Sequence, residues 1–289
     1  MEETTITVAT RDGIDLQVYR WAPEGEPRAV VQVQHGLAEH AARYRRFAEA
    51  LTGAGYLVYG PDGRGSGRTA SGDYGAWGED GWAGWVSDLD ALNQRIRQDN
   101  PGLPVALFGH SMGSFAAQEY LLDHADDVDA AILSGTGEPV AIAGMLGSDG
   151  PTDLSAFNSP FEQRTGFEWL SRDEDEVDAY VADPMCGWAA PSPAGMASLA
   201  RAGDPDLLRK IRKDLPVLLV SGRDDPVGGD KGDGVAKAGE RYREAGFEDV
   251  DVRLYPAARH ELLNETNRDE VTSDILTFLD RTVGEKASG

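Results

Sequence analysis

Val105-Ala106-Leu107-Phe108-Gly109-His110-Ser111-Met112-Gly113 runs from a short apolar strand, through a serine flanked by glycines, into a helix over Gly113 to Asp123. A strand–turn–helix context around Gly-x-Ser-x-Gly is what a nucleophile elbow requires. The need is steric: small residues two positions either side let strand and helix close together while the serine hydroxyl projects outward. The helix start behind it sets backbone N–H groups and a positive dipole end near any developing negative charge.

Outward from this turn, strands alternate with helices. On the N-terminal side come Thr4 to Thr10 and Ile14 to Trp21 as a hairpin, a strand at Ala29 to Gln34, a helix over Glu39 to Thr52, a strand at Tyr56 to Gly60 and a helix from about Gly84 to Gln98. Beyond it lie a strand at Ala130 to Ser134, one at Val217 to Ser221, a helix within Asp230 to Ala245, a strand at Val250 to Tyr255 and a helix from Asn267 to Thr282. Such alternation predicts a mostly parallel sheet covered on both faces. Between Gly137 and Pro205 the pattern breaks. That stretch carries Met145, Phe157, Phe161, Phe167, Trp169, Met185, Trp188 and Met196, too many large apolar groups for a linker, and 12 acidic against 3 basic residues, or −9. It is expected to be a helical cap (137–205) inserted into an α/β core made of 1–136 and 206–289.

With 289 residues and a hydrophobic fraction of 40%, the chain is long enough to bury a core. Lys plus Arg number 27 and Asp plus Glu 50, giving −23, a field that repels polyanions, so nucleic acid is not an expected partner. The single cysteine, Cys186, excludes an internal disulfide and a multi-cysteine zinc site. The first 20 residues have no apolar run of signal-peptide length, and nowhere are there the ~18 apolar residues of a membrane span; the expectation is a soluble, cytoplasmic protein.

A serine hydroxyl attacks only when a base takes its proton, so the elbow calls for a histidine oriented by a carboxylate. Of five histidines, His260 sits on the loop after the last strand, at the sheet edge where loops leaving parallel strands converge. Gly222-Arg223-Asp224-Asp225-Pro226 offers two acids after the preceding strand; Asp225, held by the following proline, is preferred to Asp224. The order Ser111, Asp225, His260 is that of α/β-hydrolases. An oxyanion hole then needs the N–H of Met112 and one from the loop His35-Gly36-Leu37, with Leu37 the candidate. For Glu39 and His40, hydrogen bonding at a helix start is preferred to catalysis. His110 is expected to pack, and His124 to sit at a helix C-terminus. His35 and His40 lack zinc-site spacing, so no metal is expected. Gly65-Ser66-Gly67 is followed by no helix able to hold a pyrophosphate, so no dinucleotide is expected.

Together His35-Gly36-Leu37-Ala38-Glu39-His40, Arg43-Tyr44, Asp62-Gly63-Arg64-Gly65-Ser66-Gly67, Gly109-His110-Ser111-Met112-Gly113, Gly222-Arg223-Asp224-Asp225-Pro226-Val227 and His260-Glu261-Leu262-Leu263-Asn264-Glu265 resemble the monoglyceride lipase and lysophospholipase group of α/β-hydrolases, which is grouped with serine aminopeptidase-like enzymes. Ser66 departs from a frequent histidine. The resemblance implies an eight-stranded, mostly parallel sheet, a nucleophile at Ser111, acid at Asp225, base at His260 and oxyanion donors at Leu37 and Met112. It implies no cofactor, and a mobile lipophilic cap in which Phe157, Phe161, Trp169, Met185 and Trp188 are the expected substrate contacts. The implied substrate is a monoacylglycerol or another small lipophilic monoester, with transient contact between cap and neutral lipid. Aromatic monoesters, aminoacyl amides and a non-catalytic binding role are the rival readings.

Overall fold

The computed structural model describes residues 1–146, 154–189 and 192–284. Eight strands form one sheet: β1 (Glu2–Ala9), β2 (Asp15–Ala22), β3 (Ala29–Gln34), β4 (Tyr56–Asp62), β5 (Val105–His110), β6 (Ala130–Ser134), β7 (Val217–Gly222) and β8 (Val250–Tyr255), in the order β1-β2-β4-β3-β5-β6-β7-β8. The β1–β2 hairpin and its junction with β4 are antiparallel, and every pairing from β4 onward is parallel. The helices are α1 (Arg45–Gly53), the single turn α2 (Gly67–Ala70), α3 (Gly81–Asp99), α4 (Met112–His124), α5 (Pro139–Leu146), α6 (Glu174–Ala182), the single turn α7 (Pro205–Leu208), α8 (Asp233–Glu244) and α9 (Arg268–Leu279).

Burial follows the strand period. Val31, Val33, Phe108, Ile132, Leu218 and Val220 pack one face against Phe47 and Leu51 of α1 and Ile275 and Phe278 of α9. Leu107, Leu133, Val217 and Leu219 pack the other against α4 and α8, through Phe115, Leu121, Val235 and Tyr242. Each such side chain contributes about 1.5–3 kcal/mol when fully buried. No helix among the described residues is long and apolar enough to cross a membrane.

Most boundaries move by a few residues from the sequence expectation, and two of the shifts have a clear physical cause. Strand β4 runs on through Pro61, because past Tyr59 it pairs only with β2 (Val18 opposite Pro61) and no parallel partner demands the missing N–H. The expected helix from Glu39 starts later, as a 3₁₀ turn (Ala41–Tyr44) leading into α1, because His40 is extended (φ −153°, ψ 163°); the free Ala41 N–H of that turn is taken by Asp62 Oδ1 at 2.8 Å. Between β6 and α7 lie α5, α6 and 3₁₀ turns at Leu154–Asn158, Glu168–Leu170 and Met196–Gly203. This stretch is built of short turns more than of long helices.

Candidate active site

Ser111 links β5 to α4 with φ 52° and ψ −123°, a left-handed conformation costing a non-glycine residue about 1–3 kcal/mol. Its surroundings hold it there: its N–H donates to the Ser134 carbonyl at 2.9 Å, and its own carbonyl accepts from the Ser114 and Phe115 N–H groups. A Cβ on Gly109 would lie 2.5 Å from the Gly113 carbonyl oxygen, and one on Gly113 2.4 Å from that of Gln34. The two glycines are therefore where the backbones of β3, β5 and α4 touch.

His260 and Asp225 are both buried and face each other, with His260 Nδ1 3.0 Å from each oxygen of the carboxylate. Asp225 Oδ1 also accepts the Val227 N–H at 2.9 Å and Oδ2 the Ser221 hydroxyl at 3.0 Å. Burial works against the Asp225 anion, but the charge of His260 and these donors hold its pKa below the ordinary value. Burial likewise opposes the imidazolium, yet the Asp225 charge and hydrogen bond, with Glu261 and Glu39, keep His260 above its usual 6.5. Asp224 turns outward to Lys231, 2.6 Å away, leaving Asp225, the acid preferred from the sequence, against His260. His260 packs on His110, the residue before Ser111, with ring centroids 4.8 Å apart. His110 is buried, and burial together with the His260 charge pulls its pKa down to about 4, so it packs as a neutral ring.

The loop after β3 is held by its own polar groups. His35 bridges two loops, accepting the Gly63 N–H at Nε2 (2.9 Å) and meeting the Gly36 carbonyl through Nδ1 (2.7 Å). Glu39 Oε1 takes the Gly36 N–H (2.6 Å) and the Tyr44 hydroxyl (2.8 Å), while Oε2 takes Arg43 Nη1 (2.9 Å). Arg43 Nη2 in turn reaches Glu261 at 2.6 Å. The N–H groups of Leu37 and Met112 make no hydrogen bond to another described residue. His40 does not cap a helix; its Nε2 pairs with Asp183 Oδ2 at 2.8 Å, across to the inserted stretch. Ser66 is buried, and its hydroxyl finds no partner among the described residues.

Ser111 opens onto a cavity of about 450 Å³, counting space open to solvent. Phe157 and Trp169 line it as expected, and the Trp169 ring lies 4.7 Å from that of His260. Three other expected contacts do not line it. Phe161 packs under the Arg259 guanidinium, Trp188 stacks on Tyr74, and Met185 accepts the Trp188 indole N–H at its carbonyl. Their places are taken by Phe115, Ile142, Met145, Leu154 and Met196. Apart from Ser111, the cavity lining among the described residues is apolar. Sequence reasoning missed Ile142 and Leu154 because nothing in an aperiodic insertion marks which side chains turn toward the serine.

The insertion is fastened to the histidine loop. His260 and Glu261 donate their N–H groups to the Trp169 and Leu170 carbonyls (3.3 and 2.8 Å), and Arg172 Nε pairs with buried Glu265 at 2.8 Å. It also meets the loop after β3, where the Ala38 carbonyl accepts the Gly187 N–H and the Tyr180 hydroxyl, both at 2.9 Å. Among the described residues, His40 with Asp183 and Cys186, and Asp90 with His124 and Asp127, bring potential metal-ligating atoms within 4.8 Å of one another. Neither group borders the Ser111 cavity.

A strained serine at the end of a central parallel strand, with a histidine and an acid delivered by the loops after β8 and β7, defines the α/β-hydrolase class. The chain belongs to the serine aminopeptidase S33 family, whose model matches residues 25–267. It is 34% identical over 279 residues to a monoacylglycerol lipase of Mycolicibacterium smegmatis, covering 92% of this chain and 93% of the relative. It is 28% identical to human monoglyceride lipase over 300 residues, 96% and 89% of the two chains. Among solved structures, a thermostable carboxyl esterase from Bacillus coagulans in complex with glycerol superposes with a TM-score of 0.85 at 29% identity, covering 98% of this chain and 99% of the other.

Proposed function

We propose that this protein is a serine carboxylic ester hydrolase acting on monoacylglycerols or similar small lipophilic monoesters. Ser111 Oγ attacks the ester carbonyl while His260 Nε2 takes its proton, Nδ1–H remaining on Asp225. The N–H groups of Leu37 and Met112 hold the oxyanion. His260 then protonates the leaving alcohol, water attacks the acyl-serine with His260 again as base, and the carboxylic acid departs. Residues 137–205 act as the cap that shapes the acyl site, and no cofactor takes part.

One observation carries the substrate reading: apart from Ser111, the described residues that line the cavity holding this serine are all apolar, which suits an acyl chain. The relatives named for monoacylglycerol and monoglyceride hydrolysis, and the esterase that holds glycerol, support the same choice. An aminopeptidase would need a carboxylate in the site for the substrate ammonium. The lining offers none among the described residues, and Glu39 and Glu261 are both engaged by Arg43. Val140 and Met145 of α5 are exposed, and Met145 also lines the cavity, which favours transient contact of this edge with neutral lipid. The charge of −23 disfavours anionic head groups and nucleic acid.

The test is steady-state hydrolysis of short and long p-nitrophenyl esters, 1-monoacylglycerol, a phthalate monoester and an aminoacyl amide by wild type and Ser111→Ala, with fluorophosphonate labelling. The expected result is turnover that rises with acyl length, labelling at Ser111, and a loss of roughly 10⁶-fold in the variant on the protease precedent. A folded wild type that is inert on the acyl esters and the monoacylglycerol would overturn the substrate reading, and turnover confined to the phthalate ester or the amide would replace it.

A further inference from the structure

Ser221 occupies a position where strand alternation calls for an apolar side chain. Val217 and Leu219, four and two residues before it, belong to the packed face shared with α4 and α8, and all three residues are fully buried. A hydroxyl there is unfavourable unless it is hydrogen-bonded, and it is bonded to one atom of consequence, Asp225 Oδ2, at 3.0 Å.

The two oxygens of Asp225 are secured differently. Oδ1 has the Val227 N–H, a main-chain donor that comes with the turn after Pro226; Oδ2 has only a side chain, Ser221, besides His260. Two donors on different oxygens fix rotation about the Cβ–Cγ bond of Asp225. With one removed, the carboxylate keeps a single pivot, and the plane it presents to His260 Nδ1 is no longer determined. The turn passes close to the hydroxyl and glycine leaves it room, since a Cβ on Gly228 would stand 3.1 Å from Ser221 Oγ.

We propose that Ser221 is a positioning residue for the reaction, holding the Asp225 carboxylate in the plane that orients His260. The inference rests on the roles given to Ser111, Asp225 and His260 above. Ser221 touches no substrate and takes no proton; it acts through Asp225. Losing its donor leaves more of the carboxylate charge facing the imidazolium, so His260 should keep its proton to higher pH.

The experiment compares wild type with Ser221→Ala by the pH dependence of kcat and KM on a p-nitrophenyl ester. It also compares Ser111→Ala with the Ser111→Ala, Ser221→Ala double variant by NMR titration of histidine labelled with ¹⁵N. The expected result is kcat lower by about tenfold, the scale of one hydrogen bond to a charged group. KM should be unchanged, the acid limb should move to higher pH, and the His260 titration should move the same way. An unmoved His260 titration overturns the proposal, as does a fall in kcat that tracks lost thermal stability with the acid limb in place. Because the NMR readout needs no turnover, it separates the two failures: a His260 shift between the two Ser111→Ala proteins, together with a wild type whose Ser111 ignores fluorophosphonate, overturns the hydrolase reading and the positioning role of Ser221 in catalysis with it, but not the coupling. If the alanine variant does not fold, Ser221→Cys keeps the bulk while offering only a weak S–H donor, and is judged by the same readouts.

Discussion

Arg43→Met removes a cation from between two buried carboxylates while keeping an apolar stem beside Tyr180, over whose ring the guanidinium now lies at 4.8 Å. Burial would raise the Glu39 pKa; the Arg43 charge, then His110, His35 and the Gly36 N–H, bring it down from 4.5 to about 2. At about 1.4 kcal/mol per unit this is roughly 3 kcal/mol of folding stability, undiminished by solvent because Glu39 is only 3% exposed. Because the folded pKa is depressed, that stability is present above pH 4.5 and lost as pH falls through about 2. Without Arg43, burial dominates, Glu261 is stranded as well, and the total loss reaches about 3–5 kcal/mol at pH 7. A loss of about 3 kcal/mol corresponds to a Tm lower by roughly 6–12 °C in a chain of this size. Thermal unfolding of both proteins at pH 7 and near pH 3 is the assay, and the gap should narrow in acid, where the wild type loses the same contribution. Activity should fall too, because Glu39 holds the Gly36 N–H beside Leu37. A variant within about 1 °C of wild type at pH 7, or a gap that widens on acidification, would refute the reasoning.

Two further outcomes are expected. The acid limb of kcat/KM should have its midpoint above 6.5, since in the proposed mechanism His260 must be neutral to take the serine proton and its pKa is held above that value; a midpoint at or below 6.5 contradicts this. The stabilisation from the same pair runs the other way, complete below 6.5 and lost as pH rises through the His260 pKa. Gly113→Ala would place a methyl 2.4 Å from the Gln34 oxygen and 2.5 Å from that of His35, both backbone. It should cost about 1–3 kcal/mol or more together with activity, as followed by urea unfolding and esterase assay, and a stable, active variant would show that β3 and α4 part freely.

The strands were legible because each is a short buried run whose neighbours alternate with helices, and parallel pairing requires that pattern. Ser111, Asp225 and His260 were legible because each lies within a few residues of a strand end, so local sequence gives approximate place as well as identity. The proline that follows it already favoured Asp225 over Asp224, and in space the first turns to His260 and the second to Lys231. The insertion resisted for a physical reason: its 3₁₀ turns span three to eight residues, too short for a periodic apolar face to declare itself. Phe161, Met185 and Trp188 therefore read as well as Phe157 and Trp169, though only the last two meet the cavity. Hydrogen bonds across long separations, such as Arg172 to Glu265 and His40 to Asp183, leave no local trace at all.

The main-chain bonds from His260 and Glu261 to Trp169 and Leu170 bear on how such a protein can be re-engineered or can diverge. The inserted stretch is not a detachable module. A graft that exchanges all of it for a relative's would also replace the backbone acceptors that brace His260, the proposed base, and would then damage turnover even where the new walls fit the new substrate. Exchanges that stop short of Glu168, or begin after Arg172, leave that seam intact and can vary the acyl pocket through Ile142, Leu154, Phe157 and Met196 while the chemistry stays put.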